Sequence, residues 1–273
     1  MEDNPMRPLN IIVCLKVVPK PEEVKVNSET MTIERANVRS EINPPDMNCL
    51  ELALELKEKH GGTVSLLSMG PPLFDSYLRL GMAMGADSAY LLSDRAFAGA
   101  DTLATSYTLA EGIRKMGKYD LVICGEESSD GATAQVPPGI AEWLEASQIT
   151  YAEDLDVLPD GRSVKAKREL AGGYEVVQVP LPAVISLKVG ANEPRFMDFD
   201  RKPWAETEAP VTTWSAKDIG LDESYIGLEG SPTIVSGVAM APSSERRREF
   251  LSGTPEEQAL QLAEKIRSRI RVD

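Results

Sequence analysis

The chain is short of histidine, cysteine, aromatic residues and long apolar runs, and each shortage removes a class of function. A single histidine, His60, stands among 273 residues, which excludes Ser-His-Asp catalysis, Cys-His catalysis and multi-histidine metal sites. His60 precedes Gly61 and Gly62, where a helix should stop, a favourable place for a partly cationic side chain near the carbonyl end of a helix. The three cysteines, Cys14, Cys49 and Cys124, are odd in number, far apart in the sequence and form no CxxC pair. They are expected to be reduced, mostly buried thiols of a cytoplasmic protein. No apolar run approaches the length of a membrane span, and the start from Met1 to Pro8 has neither the basic nor the apolar region of a signal peptide. Cationic charge is also scarce: 29 Lys and Arg face 43 Asp and Glu, a net charge of -14. Such a balance argues against nucleic acid as the main partner.

Two familiar phosphate-binding motifs are missing as well. GxGxxG, the dinucleotide fingerprint of dehydrogenases, does not occur. The stretch from Gly112 to Tyr119 approaches a P-loop, but Tyr119 replaces the Ser or Thr that would meet magnesium, and its glycines end a helix instead of following a strand.

What is present is an alternation. Apolar runs at 10–18, 63–69, 88–92 and 119–124 read as buried strands. Between and after them, 46–60, 73–84, 101–116 and 134–145 have helical character, with Asp46 and Asp101 as expected N-caps. Strands alternating with helices at this spacing specify a mostly parallel, Rossmann-like α/β sheet with helices on both faces. Ligands of such sheets sit beyond the carboxyl ends of the strands. The candidate ligand loops are therefore 19–45, 69–72, 93–101 and 125–134. Beyond residue 150 a hairpin is expected around Ala171, Gly172 and Gly173, then a strand at 181–188. Residues 191–232 read as a long irregular surface loop. Thr254, Pro255 and Glu257 open a final helix with Leu260, Ala263, Ile266 and Ile270 on one side. Its basic end favours the dipole, and docking on another subunit is the alternative use of its apolar stripe.

The loop after the 119–124 strand is the most informative segment. It holds Gly125, Glu126, Glu127, Ser128, Ser129, Asp130, Gly131 and Thr133, small and hydroxyl-bearing residues with acids but no lysine or arginine. Backbone N–H groups at a helix start can hold an anion without a cation, provided Glu126 and Glu127 turn away. The competing reading is a strand-to-helix turn capped by Asp130.

Taken in order, several short stretches resemble the β subunit of electron-transfer flavoproteins, over nearly the whole chain. They are Val13 to Lys16, Asn43-Pro44, Met69 to Pro71, Ala83 to Asp87, Asp130 to Gln135, and Ala166 through Arg168, Gly172, Gly173 and Glu175 to Ser186, followed by Asn192 to Arg195. The resemblance implies a nucleotide-binding domain at 10–190 after a tail at 1–9, a partner-recognition region at 191–232, and a C-terminal arm at 233–273 that docks on an α subunit. It implies an adenine nucleotide lined by Cys14, Asn43, Asp46, Met69, Gly70, Gly125, Asp130, Gly131, Thr133, Ala134, Gln135 and Val136. In this family that nucleotide is AMP in the housekeeping type and FAD in the electron-bifurcating type, with a further FAD in the α subunit.

Asn43-Pro44-Pro45-Asp46 and the stretch from Leu92 to Thr102, with Arg95 as a cation near the ligand edge, resemble the bifurcating type. Glu126-Glu127-Ser128 departs from it, where relatives commonly carry Arg-Gln-Ala. For the bifurcating type the implied function is electron flow from NADH to an acyl-CoA dehydrogenase or a related partner, and to ferredoxin or flavodoxin. Here the subunit is a carrier, with enzymatic NADH oxidation belonging to the αβ complex. Phe199 stands where the family presents a leucine to its dehydrogenase, near Arg195, while Ile266 and Ile270 would face the α subunit. The rival readings are an AMP-binding housekeeping subunit and a free-standing, non-redox adenine-nucleotide sensor.

Overall fold

The computed structural model describes residues 7–20, 26–27, 32–33, 39–237 and 248–270. They divide into two units, one reaching Val238 and the other starting at Ala239. In the first unit β1 (Leu9–Cys14) is followed by β2 (Val17–Pro19), β3 (Val26–Asn27), β4 (Thr32–Ile33), β5 (Ser40–Ile42) and helix α1 (Pro44–His60). Next come β6 (Gly62–Met69), α2 (Asp75–Met84), β7 (Ser88–Leu92), α3 (Thr102–Met116), β8 (Leu121–Gly125) and α4 (Val136–Leu144). The unit continues with β9 (Ser147–Val157), β10 (Ser163–Leu170), β11 (Gly173–Pro180), β12 (Ala183–Leu187), α5 (Lys202–Thr207), β13 (Val211–Trp214) and α6 (Ala216–Ile219).

Among the described residues the main sheet has nine strands in the order β11-β10-β9-β12-β8-β1-β6-β7-β13. From β9 to β13 every neighbouring pair is parallel, and β10 with β11 adds an antiparallel hairpin at one edge. This is the expected α/β class. Alternate residues of the inner strands feed two cores, as the two-residue strand period requires. Ile11, Val13, Leu121 and Ile123 pack with α1 and α2 residues such as Leu50 and Met82. Ile12, Cys14, Val122 and Cys124 pack with Ile113 of α3 and Ile140 of α4.

Several elements differ from their sequence reading. The 10–18 run is two strands, because the chain leaves the sheet after Cys14 and β2 pairs with β5 instead. Helix α1 starts at Pro44 with Asn43 as its N-cap, so Asp46 lies in the first turn and is no cap. Residues 191–232 are less irregular than expected: β13 extends the sheet in parallel beside β7. β13 (VTTW) is a four-residue edge strand with no buried residue, too short and too polar for its periodicity to be read. β9 also went unread, since its alternating polar residues belong to a strand that leaves the core. At Tyr151 the backbone takes a positive φ of 57° and the Tyr151 N–H donates to Ser186 Oγ at 3.1 Å. There the strand passes from parallel pairing to the hairpin arm. Arg168 braces that arm, donating from Nε to the Thr150 carbonyl at 2.9 Å and pairing with Glu175 at 2.9 Å.

His60 does close α1, but it is buried at 6% exposure, and burial first, then the Lys59 charge, pushes its pKa below the ordinary value. Burial thus works against the partly cationic form that its position at the helix end favours. The P-loop-like glycines have packing roles: Gly112 lies inside α3 with a Cβ position only 2.9 Å from Leu92, and Gly117 ends the helix at a φ of 102°.

In the second unit α7 (Pro255–Arg267) opens with the expected capping box between Thr254 and Glu257. Leu260, Ile266 and Ile270 are exposed.

Candidate functional site

The connections fix where a ligand can sit. From β1 the chain builds outward through β6 and β7, then returns through α3 to place β8 on the other side of β1. The strand order reverses between β1 and β8, and at such a switch point the two following loops diverge and leave a crevice at the strands' carboxyl ends. Cys14 ends β1 and Gly125 ends β8, so the loops at issue are the one beginning at Leu15 and the one from Glu126 to Gln135.

Helix α1 ties the two loops together. Asp46 is buried, and its carboxylate accepts from the Lys16 N–H at 2.6 Å, the Gly125 N–H at 3.2 Å and Asn43 Nδ2 at 3.0 Å. Burial, opposed by those bonds and by the Lys16 charge, pushes its pKa up to about 7. Asn43 is also buried; its Nδ2 donates to the Glu127 carbonyl at 2.9 Å and its Oδ1 accepts from the Ser129 N–H at 3.0 Å. Both side chains thus serve the protein's own loops and lie beneath the rim. Gly125 must be glycine for space: a Cβ there would stand 2.3 Å from Asp46 Oδ1 and 2.8 Å from Pro45 Cβ.

The donors expected at the α4 terminus are arranged differently from the sequence reading. Pro137 and Pro138 occupy the first turn of α4 and carry no N–H. The N-cap is Gln135, with no side-chain cap bond, so Asp130 does not cap this helix. Instead, the amides of Thr133, Ala134, Gln135 and Val136 have no acceptor among the described residues. Ala132 and Ala134 hold positive φ angles of 46° and 54°, and Gln135 returns to the right-handed region at φ -94°. Such an alternation turns successive N–H groups toward one point and forms an anion-binding nest. The Gln135 Oε1 accepts from Thr102 Oγ1 at 2.8 Å, which links the nest to the start of α3 and leaves the Gln135 NH2 to donate elsewhere.

Asp101 caps α3 as expected, accepting from the Leu103 and Ala104 N–H groups at 2.9 and 3.1 Å. Its other oxygen accepts from the Thr233 N–H and hydroxyl at 3.0 and 2.7 Å.

The acids behave as the anion reading requires. Glu126 turns to the neighbouring segment, where its carboxylate accepts the Val189 N–H at 3.0 Å, and Glu127 is solvent-exposed. The loop nevertheless does have a cation, which the sequence reading missed. Lys16 Nζ reaches across from the other loop to Asp130 Oδ1 at 2.6 Å and Ser128 Oγ at 3.1 Å. The sequence signals for it were its position just past the first strand of a doubly wound sheet and its place at the end of the Val13 to Lys16 stretch. Burial pushes the Asp130 carboxyl up, but the Lys16 hydrogen bond and charge, with Ser128, bring it below the ordinary value.

Met69 and Gly70 lie at the end of β6 on the same rim, with Gly70 donating to the Leu92 carbonyl at 3.0 Å. Arg95 sits exposed in a short turn, with no described contact to the 125–136 loop. The three thiols, remote in sequence, converge under the rim. Cys124 is hydrogen-bonded to Cys14, and that bond, then burial, holds its pKa well above the ordinary value. Burial, then the Asp46 charge, does the same for Cys49. Deprotonation is suppressed at Cys124 and Cys49, so these two are packing groups.

The other side of α1 holds the segment after β12. Asn48 and Asn192 exchange amide bonds, with Asn48 Nδ2 donating to the Asn192 carbonyl at 2.7 Å and Asn192 Nδ2 to the Asn48 carbonyl at 3.0 Å. Arg195 forks onto the buried Glu51, with Nη2 at 2.8 Å, and onto Glu58, with Nη1 at 2.5 Å. Phe196 and Phe199 beyond it are exposed at 94% and 75%. Among the described residues no group of carboxylate, cysteine and histidine side chains could hold a metal, and no helix is long and apolar enough to cross a membrane.

Comparison with known proteins bears on what this rim belongs to. The electron transfer flavoprotein domain family matches residues 30–219. Among curated relatives, the electron transfer flavoprotein subunit beta of Clostridium acetobutylicum is 47% identical over 83% of this chain and 86% of its own length. The caffeyl-CoA reductase-Etf complex subunit CarD of Acetobacterium woodii is 44% identical over 90% of this chain and 93% of its own. Protein FixA of Azorhizobium caulinodans is 45% identical over 88% and 87%.

Proposed function

The chain belongs to the electron transfer flavoprotein family, as a β subunit of the heterodimeric flavoprotein, and on that premise we propose that its β1/β8 rim binds FAD. In this reading the αβ pair takes electrons from NADH and delivers them by two routes. One runs through the α-subunit FAD to an acyl-CoA dehydrogenase or related partner, the other to a low-potential acceptor such as ferredoxin. The observation that carries the reading is the run of four amides from Thr133 to Val136 at the switch point that have no acceptor among the described residues. A monophosphate would occupy part of such a row. The Gln135–Thr102 bond continues it to the start of α3, which suits the longer diphosphate of FAD better than AMP.

Bound there, FAD would supply the redox chemistry, which no side chain of this chain need perform. The chain's own work is binding and positioning. Thr133 to Val136 donate to the anion; Asn43 and Asp46 hold the loop that presents them; and Gly125 lets α1 approach closely. Exposed Glu127 adds negative charge near the rim and would disfavour a reduced, anionic flavin bound there, the electrostatic consequence of the Glu126-Glu127 departure. Residues 191–232 would meet the dehydrogenase, with Phe199 as anchor and Arg195 holding the loop to α1. Residues 233–273, including Ile266 and Ile270, would dock on the α subunit. The name of the Acetobacterium woodii relative, a subunit of a reductase-Etf complex, supports a partner that acts on a CoA thioester.

Counting nucleotides released from the denatured αβ pair tests this reading. Two FAD per pair is the expected result, with ferredoxin reduced when NADH and the cognate dehydrogenase are supplied. One FAD plus one AMP would assign the housekeeping type, and a flavin-free β subunit active without a partner would assign the non-redox sensor.

A further inference from the structure

The sequence alone reads the loop after β8 as an anion site with no cation of its own, and the structure brings Lys16 to it. Lys16 is not a mobile surface lysine at its root. Its N–H donates to Asp46 at 2.6 Å and its carbonyl accepts from the Asn43 N–H at 2.8 Å, so its backbone is fixed on both sides to the start of α1. The preceding Leu15 N–H is held by the Leu67 carbonyl at 2.8 Å. From that anchored position the side chain, 47% exposed, spans to the loop after β8. An ammonium carries three protons. Asp130 and Ser128 take two of them, which leaves the third for a further acceptor. Ser128 Oγ accepts from Lys16 while its hydroxyl bonds to Asp130, so lysine, serine and carboxylate form one cluster at the rim.

We propose that Lys16 is the phosphate-neutralising residue of this site, contacting the phosphate of the adenine nucleotide, with Asp130 as the positioning residue that aims it. The inference rests on the nucleotide reading above and adds which residue gives the site its charge selectivity. It also accounts for an acid inside an anion-binding loop. The Asp130 carboxylate is ion-paired to the lysine, lies below its ordinary pKa for that reason, and presents the cation instead of repelling the ligand. A point charge at the mouth also explains how the α4 start functions although Pro137 and Pro138 remove two of its amides.

The test uses the purified αβ pair and titrates AMP, inorganic diphosphate and adenosine into wild type, Lys16→Met, Lys16→Arg and Asp130→Asn. Lys16→Met is expected to weaken AMP and diphosphate about tenfold or more, the scale of a lost charge-assisted hydrogen bond. Adenosine, which has no phosphate, changes less than about twofold under the same substitution, because the adenosine contacts do not involve the ammonium. Lys16→Arg restores most of the AMP affinity. Asp130→Asn leaves AMP binding as tight as wild type or tighter, since the substituted amide oxygen would still accept from the lysine while a negative charge is removed. Wild type should lose AMP affinity with salt more steeply than Lys16→Met. Equal losses of AMP and adenosine in both Lys16→Met and Asp130→Asn would make Lys16 a loop strut only and overturn the proposal. Unchanged AMP affinity in Lys16→Met would overturn it too, with the nucleotide reading intact. A wild-type pair that binds no adenine nucleotide would remove both.

Discussion

Gly125→Ala is expected to lower the stability of the protein by about 3 kcal/mol and to strip the nucleotide from it. The cause is space. The added methyl would sit 2.3 Å from Asp46 Oδ1, 2.8 Å from Pro45 Cβ and 3.3 Å from Asn43 Nδ2. None of these is the loose end of a long side chain. Pro45 is a ring on the first turn of α1, and the Asp46 and Asn43 side chains are held by the hydrogen bonds that join the two loops. Relief therefore means moving the start of α1, which breaks the Asp46 bond to the Gly125 N–H and the Asn43 clamp on Glu127 and Ser129. Thermal melting and extracted nucleotide measure the two effects; a fall in Tm of about 10 °C corresponds to this cost in a chain of such size. Gly173→Ala is the control. That position has no neighbour within 4 Å and no positive φ, so its change should be neutral or slightly stabilising. Equal behaviour of the two variants would refute the crowding account.

Arg195→Met should cost about 2–3 kcal/mol and cut partner-dependent electron transfer, while leaving the bound nucleotide in place. Glu51 is 6% exposed on its side chain, and apart from the Arg195 backbone N–H at 2.8 Å the arginine fork supplies its hydrogen bonds. Removing the fork leaves a buried carboxylate without its counter-charge, one of the more expensive single changes in a folded protein. The arginine's own 32% exposure keeps the cost at the lower end of that range. The partnership with Glu58, itself 61% exposed, adds little. The functional effect follows from position. Arg195 and the Asn48–Asn192 exchange hold the segment that leads to Phe196 and Phe199. Loosening it misplaces the proposed anchor, and electron transfer to the dehydrogenase should fall about tenfold or more. Melting, nucleotide content and coupled activity distinguish this from the Gly125 change, which is expected to remove the proposed nucleotide. A variant with unchanged stability and coupling would show that the fork is ornamental.

The contrast between the two variants reflects what the sequence could and could not disclose. The parallel core was legible because buried strands such as β8 contain continuous apolar runs (Leu121 to Cys124) and the helices between them carry clear stripes. The rim was legible for the same reason, since ligand sites follow from strand ends. β9 and β13 were not, because both leave the fully buried core and show mixed or polar faces. Within the site the sequence could name residue types but not the bonds between them. Asn43 and Asp46 read as ligand-lining, and the structure adds that their side chains tie the two loops together. Pro137 and Pro138 fill the first turn of α4 without N–H groups, which leaves the available donors at Thr133 to Val136. Lys16 and Asp130 are 114 positions apart, and no local pattern links them; only the closure of the sheet brings β1 and β8 side by side. Glu126 was legible as an anomaly, and its bond to Val189 shows where its charge goes.

The central claim is that main-chain amides at the β1/β8 rim, between α1 and α3, hold an adenylate-bearing ligand. The most direct measurement is a crystal structure of the αβ pair grown with FAD, and with AMP in parallel. The account predicts phosphate oxygens within hydrogen-bond distance of the amides between Thr133 and Val136. Ligand density in another part of the β subunit, with those amides facing only solvent, would contradict it.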